Sequence, residues 1–199
     1  MKRFIDTTDQ TFTFSSCEGC PSRCCDGREG SIFSELILED FEQVSKNFPI
    51  VFTFGELGFL KANVLLSNGK DFCPYVLNHK CTIYKERPSV CRIYPLSQNI
   101  DNKVYIDDLC PALSSDVGIK IVDKGKLSDS FSHPKLENYQ DKFIQTHMYL
   151  EKFSKKCNFS SIGTINEIEI YQYIEKSDDK FIQFHIKSQE HLPKILKDI

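Results

Sequence analysis

Eight cysteines crowd one stretch of this chain: Cys17, Cys20, Cys24, Cys25, Cys73, Cys81, Cys91 and Cys110, with a ninth, Cys157, standing apart. Between positions 17 and 110 their frequency is about 8.5%, the level at which cysteine specifies a scaffold. Thiols at that density form disulfides, bind zinc or hold an iron–sulfur cluster. Disulfides fit poorly. The count is odd, and Cys24 and Cys25 are adjacent, which strains a mutual bridge. The opening MKRFIDTTDQTFTF has two basic residues but no apolar run and no small-residue cleavage site. It reads as lacking a secretory leader, which points to the reducing cytoplasm.

A structural zinc site takes two C-x₂₋₄-C knuckles. Here Cys17-Glu-Gly-Cys20 is one, Cys20-x₃-Cys24 overlaps it, and Cys73, Cys81, Cys91 and Cys110 stand singly. Iron–sulfur ligation tolerates single cysteines converging from separate loops, and Cys73-Pro74 and Cys110-Pro111 resemble the Cys-Pro that closes bacterial ferredoxin runs. The radical C-x₃-C-x₂-C pattern fails, because position 27 is Gly. Metal binding is therefore the expectation, with an iron–sulfur cluster ahead of zinc and a 4Fe–4S cluster the form in view. Cys157 reads as a structural residue on a helix.

Arginine leans towards these cysteines. Arg23, Arg28, Arg87 and Arg92 lie within four residues of one and only Arg3 does not, whereas five of twenty lysines do. Guanidinium is planar, permanently charged and weakly hydrated, so it suits donation to crowded thiolates. The plainer reading of Arg87 and Arg92 is a salt bridge to a neighbour such as Glu86. Tyr84 and Tyr94 are expected to pack over the site as an apolar lid. His79, between Cys73 and Cys81, reads first as a turn residue and second as a ligand. The other histidines read as surface or packing residues.

The charge balance, 25 Lys+Arg against 28 Asp+Glu for a net −3, argues against a nucleic-acid partner. No apolar run approaches the roughly 20 residues of a membrane span. No G-x-G-x-x-G, P-loop, G-x-S-x-G or H-E-x-x-H is present.

The elements that must position the thiols are short. Residues 1–16 read as a lead-in strand or arm, and 17–30 as a loop that something must tie down. Residues 31–38 alternate like a strand, and 39–48 read as a short helix. Asn68-Gly69 predicts a hairpin, and Asn78-His79-Lys80 a second turn between strands flanked by Cys73 and Cys81. Pro88 starts a helix of one or two turns carrying Cys91, and Pro95 ends it. Leu136, Tyr139, Phe143, His147, Leu150 and Phe153 mark an amphipathic helix. INEIEIYQYIEK and KFIQFHI suit strand or helix alike. The expected fold is α+β: a loop-heavy, cysteine-rich metal-binding domain over 1–112, with short strands, hairpins and helices. A largely helical extension over 113–199 packs on it across a boundary soft enough for the two to form one domain.

Two blocks carry a resemblance. C-x₂-C-x₃-C-C from Cys17 to Cys25, and Cys81-Thr-Ile-Tyr84-Lys-Glu-Arg87-Pro88-Ser-Val-Cys91-Arg92-Ile-Tyr94-Pro95, resemble the CxxCxxCC (YkgJ-like) cysteine-cluster family, described as zinc- or iron-chelating. Pro21-Ser22-Arg23 supplies three residues where the family name spells two. The resemblance spans 17 to about 111 and implies a metal centre on the eight matching cysteines. Longer relatives include flagellin lysine N-methylases, which implies S-adenosylmethionine and a protein-lysine substrate as one use. Three functions stand as expectations: an iron–sulfur protein for redox chemistry or protein-lysine methyl transfer, a zinc-stabilised interaction module with a protein partner, and a reversible iron or zinc carrier.

Overall fold

The computed structural model describes residues 2–114, 117–131 and 133–196. The first half contains strands β1 (Phe4–Asp6), β2 (Phe12–Phe14), β3 (Phe33–Glu35), β4 (Ile50–Phe54), β5 (Leu60–Leu65), β6 (Val76–Leu77), β7 (Lys80–Cys81), β8 (Leu96–Gln98) and β9 (Val104–Asp107). Its helices are α1 (Phe41–Ser45) and α2 (Ser89–Ile93). The second half adds β10 (Leu113–Ser114), β11 (Ile119–Asp123), β12 (Lys126–Leu127), α3 (Tyr139–Leu150), β13 (Phe159–Ile165), β14 (Ile168–Tyr173), α4 (Lys180–Ser188) and α5 (Leu192–Ile195). The class is α+β, with the two longest helices, α3 and α4, in the C-terminal region.

The largest sheet is antiparallel with the order β13-β14-β4-β5-β3. Its inner strand β4 reads Ile50-Val51-Phe52, all fully buried. An unbroken apolar run in a strand means both faces are covered, because alternate side chains point to opposite sides. Phe52 packs against Phe159 and against His185 of α4. On the other face Glu35, the register partner of Asn63, pairs with Lys61 and with His147 of α3.

Asp179 starts α4: its Oδ1 accepts from the N–H groups of Phe181 and Ile182 at 2.9 and 3.2 Å. The helix then drives an imidazole into the sheet. β14 and β4 share the register pair Tyr171↔Phe52. Two residues on, where Tyr173 and Ile50 would bond directly, His185 stands between them. Its Nδ1–H donates to Ile50 O at 2.8 Å and its Nε2 accepts from Tyr173 N–H at 3.0 Å. Ser188 Oγ accepts from Ile50 N–H at 2.8 Å.

A second, smaller core of Ile93, Leu96, Ile106, Ile121, Val122 and Leu136 fills the space beneath two further sheets, β1-β9-β8 and β10-β2-β11-β12. Helix α2 joins the two cores. Val90 and Cys91 pack against the first and Ile93 belongs to the second. A buried ion pair braces this seam. Lys135 Nζ donates to Asp40 Oδ2 at 2.6 Å, Asp40 also accepts from Ile37 N–H and the Ser89 hydroxyl, and both charged residues are about 5% exposed.

Several sequence expectations change in detail. Asn68-Gly69 does form a turn, with Asn68 Oδ1 accepting from Lys70 and Asp71 N–H and Gly69 at φ +81°. It is not a hairpin. The chain runs on as loop, and residue 72 bridges to Asp26 instead. The expected helix around Leu136 breaks into a 3₁₀ turn at Pro134–Leu136 and then α3. INEIEIYQYIEK forms strand β14 and KFIQFHI forms helix α4. Cys157 is exposed in a 3₁₀ turn at Lys156–Asn158. No helix among the described residues is long and apolar enough to cross a membrane.

The packing is testable at two buried sites, His185 and the Lys135–Asp40 pair. Burial holds the His185 imidazole neutral, its pKa pulled down from 6.5 to about 4. A depressed folded pKa gives stability that is complete above pH 6.5 and is lost as pH falls towards 4. His185 accounts for about 3 kcal/mol of that loss, measured by urea unfolding between pH 7.5 and 4. His185→Gln should flatten the slope. Lys135→Ala leaves Asp40 charged and sealed, and should cost about 3–5 kcal/mol in the same assay. Combining Lys135→Met with Asp40→Leu removes both charges together and should cost clearly less.

Candidate metal centre

Residues 17–30 have almost nothing to bury, so other segments must hold them. Ser22 turns the chain with a left-handed φ of 60° ahead of a 3₁₀ turn at Arg23–Cys25. Its hydroxyl donates to His79 O at 2.8 Å, which fastens the turn to the β6–β7 hairpin. Cys73 N–H donates to Cys25 O at 2.7 Å, and Gly27 N–H donates to Asp71 O at 2.9 Å. Only glycine fits at 27, since a Cβ there would lie 2.5 Å from Asp71 O. The turn at Asn68 thereby lays Asp71–Cys73 alongside the double cysteine.

The remaining thiols arrive on separate supports. Cys81 ends the hairpin, whose tip residues Asn78 and His79 both have positive φ. Cys91 sits in α2, which ends at Tyr94-Pro95. Cys110 follows β9 and is anchored through Asp107, which has no solvent exposure. Asp107 Oδ1 accepts from the N–H groups of Arg3 and Leu109, and Oδ2 from the Tyr94 hydroxyl at 2.9 Å. Its carbonyl accepts from Cys110 N–H at 3.0 Å.

All eight cysteines share one electrostatic neighbourhood. Cys24 is its hub, acting on Cys17, Cys73, Cys91 and Cys110 and acted on by Cys25. Cys20 acts on Cys17 and Cys110, and Cys81 acts on Cys73. The Cys24 and Cys25 sulfurs are 3.7 Å apart. Among the described residues no three His, Cys, Asp or Glu side chains stand close enough to share one metal ion. Cys110 is buried, Cys17 exposed, and the other six lie between.

Burial and crowding keep Cys17, Cys24, Cys73, Cys91 and Cys110 protonated. Burial, then the thiols of Cys73 and Cys24, push Cys91 up to about 12. Burial pushes Cys73 up to about 11 and raises Cys110 as well, while partial loss of hydration and the neighbouring Cys24 raise the exposed Cys17. Cys24 is raised first by its hydrogen bond with Cys25 and then by burial. Such a set is unstable as free thiolates, and a soft cation among the sulfurs reverses that balance. The donor chemistry fits zinc or iron.

The arginines mostly shape the loops. Arg87 is the one coupled to the Cys17 and Cys91 thiols; it also donates to Cys91 O at 3.5 Å and lies 3.5 Å over the Tyr84 ring. Arg23 donates to Leu109 O and Glu29, and Arg28 clamps Asp26 with two bonds at 2.9 and 2.7 Å. Arg92 donates to the carbonyls of Arg87 and Lys85, not to Glu86. Tyr94 stands against the cluster: its hydroxyl is bonded to Asp107 and lowers the Cys110 thiol against the upward push of burial. Tyr84 is half exposed beneath Arg87. His79 Nδ1 donates to Pro21 O, a turn contact.

Sequence reasoning passed over Lys2. Its ammonium donates to Ser31 Oγ at 2.8 Å, lies 4.6 Å over the Tyr94 ring and feels Cys24, Cys91 and Cys25. Only spatial proximity identifies it, since 15 positions separate it from the first cysteine.

Residues 16–111 match the model of the CxxCxxCC family, described as "Putative zinc- or iron-chelating domain". No solved structure matches the chain.

Asp107 carries the Cys110 arm, which makes it the sharpest point to test. Asp107→Ala strands the Arg3 and Leu109 N–H groups and should cost about 2–4 kcal/mol in denaturant unfolding. Asp107→Asn, which keeps the acceptor at Oδ1, should cost less.

Proposed function

We propose that the segment 16–111, which matches the CxxCxxCC family model, holds an iron–sulfur centre on Cys17, Cys20, Cys24, Cys25, Cys73, Cys81, Cys91 and Cys110. The observation that carries this reading is the spacing of the thiols. One tetrahedral zinc with bonds of about 2.3 Å puts its sulfurs about 3.8 Å apart. Here Cys24 and Cys25 meet that distance as a pair, while Cys17 and Cys20 lie earlier in the same loop and Cys73, Cys81, Cys91 and Cys110 each come from a segment of their own. Cysteines brought around one hub from five separate segments suit a centre of several atoms, each of whose irons takes its own thiolate.

When bound, such a centre supplies one-electron redox chemistry. The chain's own residues set its surroundings. Arg87 and Lys2 bring positive charge to the thiols, the Tyr94 hydroxyl lowers the Cys110 thiol, and Asp107 fixes Tyr94. Eight thiols exceed the four that one 4Fe–4S cluster takes, so the remainder serve a second metal or are themselves oxidised and reduced. That excess favours redox use over protein-lysine methyl transfer with S-adenosylmethionine. The nine free thiols suit a reducing compartment such as the cytoplasm.

The test is metal and sulfide analysis with a visible spectrum, on protein purified without oxygen or chelator. Brown protein carrying about four irons and sulfides per chain or more supports the reading. Cys24→Ser and Cys91→Ser should each remove most of that iron. Colourless protein with one or two tightly held zincs overturns it and leaves a zinc-stabilised interaction module. A metal that exchanges freely without unfolding the domain indicates a carrier.

A further inference from the structure

Access to the eight clustered thiols is uneven. Cys17 is exposed, Cys110 is buried and the other six lie between. Cys17 belongs to a run, residues 15–19, that is exposed throughout. Within it Ser16 Oγ accepts from Glu18 N–H at 3.2 Å, and Cys17 O accepts from Cys20 N–H at 3.3 Å. Gly19, third in this turn, has φ +74°, which a type II turn requires at that place.

The turn brings Cys17 and Cys20 within bonding reach of each other. The first and fourth Cα atoms of a β-turn lie under about 7 Å apart, and a disulfide spans Cα separations of about 4.4–6.8 Å. Cys24 and Cys25 have close sulfurs, at 3.7 Å. Adjacent Cα atoms, however, are only about 3.8 Å apart, too near for an unstrained bridge. Cys25 is also fixed through its carbonyl, which Cys73 N–H holds. Cys73 and Cys91, pushed up to about 11 and about 12 chiefly by burial, keep almost no thiolate to attack with. Cys17 faces Arg87, whose charge opposes the upward push of lost hydration and of Cys24.

We propose that Cys17 and Cys20 form a reversible disulfide by exchange with a small disulfide such as oxidised glutathione, while the other six thiols keep the metal. This rests on the iron–sulfur reading in one respect, that eight thiols exceed the ligands of one cluster. The Cys17 thiolate attacks one sulfur of the small disulfide, forms a mixed disulfide and releases one small thiolate. The Cys20 thiolate then attacks Cys17 Sγ and releases the second. The protein gives up two electrons and two protons, and the two small thiols carry them away. Exposure assigns the first attack to Cys17, and the less exposed Cys20 resolves it.

The full chain carrying Cys157→Ser, which removes the other exposed thiol, is purified with its metal and without oxygen, then treated with oxidised glutathione. Alkylation, digestion and mass mapping locate the first bond, and metal is measured on the same samples. Release of about two glutathiones per chain, a Cys17–Cys20 bond that dithiothreitol reverses, and unchanged metal are expected. Adding Cys20→Ser should leave glutathione attached at Cys17. Adding Cys17→Ser should slow glutathione release by about tenfold or more. Should either variant fail to fold, the mapping on the Cys157→Ser chain decides alone. A first bond elsewhere, no bond, or metal lost in step with the bond overturns the proposal. Zinc-loaded protein that forms the Cys17–Cys20 bond removes the iron–sulfur centre and leaves the pair standing. Brown protein that oxidises elsewhere removes the pair alone.

Discussion

Two backbone hydrogen bonds, Cys73 N–H to Cys25 O and Gly27 N–H to Asp71 O, hold a segment that cannot hold itself. Loop 17–30 is rich in Gly, Pro, Cys and charge and has little to pack. Ordering each of its residues costs about 1–2 kcal/mol of backbone entropy, which such a loop does not recover by burial. The pairing with 71–73 supplies a surface to lie on, and Ser22 adds a tie to the β6–β7 hairpin. The positions of Cys24, Cys25, Cys73 and Cys81 all depend on that contact, so four of the eight thiols are set by one short strip of backbone.

The opposite wall depends on burial of charge. Asp107 has no exposure, yet it joins the N-terminal arm through Arg3, the end of α2 through Tyr94 and the Cys110 turn through Leu109. Arg23 Nη1 stands 4.0 Å from it, linking the double-cysteine loop to the same carboxylate. A buried anion beside a ring of thiols would oppose their ionisation. Lys2 and Arg87 counter it from two sides, which explains why a lysine from the chain's beginning is brought so far into the site.

The sequence reveals the grouping of the thiols and the punctuation around them more readily than the roles of their neighbours. Pro88 and Pro95 bracket α2, and Asn78-His79 turns the hairpin, because proline and positive-φ residues act locally. Asn68-Gly69 has the same local chemistry, but the path of the chain beyond it is set by the distant loop it must meet. Arg28 and Arg92 lie near cysteines in sequence and give their protons to a carboxylate and to carbonyls. Lys2 is the reverse case, remote in sequence and adjacent in space. KFIQFHI is ambiguous in periodicity; its helical form is settled by the Asp179 cap and by the demand for an imidazole between Ile50 and Tyr173.

That imidazole has a further consequence for how the chain reaches its final form. β4 is a central strand, but its second neighbour, β14, lies more than a hundred residues later, and His185 comes later still. During synthesis every cysteine of the cluster leaves the ribosome before the sheet that backs Cys73 and Cys91 can close. The nascent protein thus passes through a stage with eight thiols out and an unfinished strand edge at β4, open both to oxidation and to pairing with the wrong partner. A metal captured by the early loops would shorten that exposure, so the order of the elements along the chain makes the supply of metal a matter of timing as well as affinity.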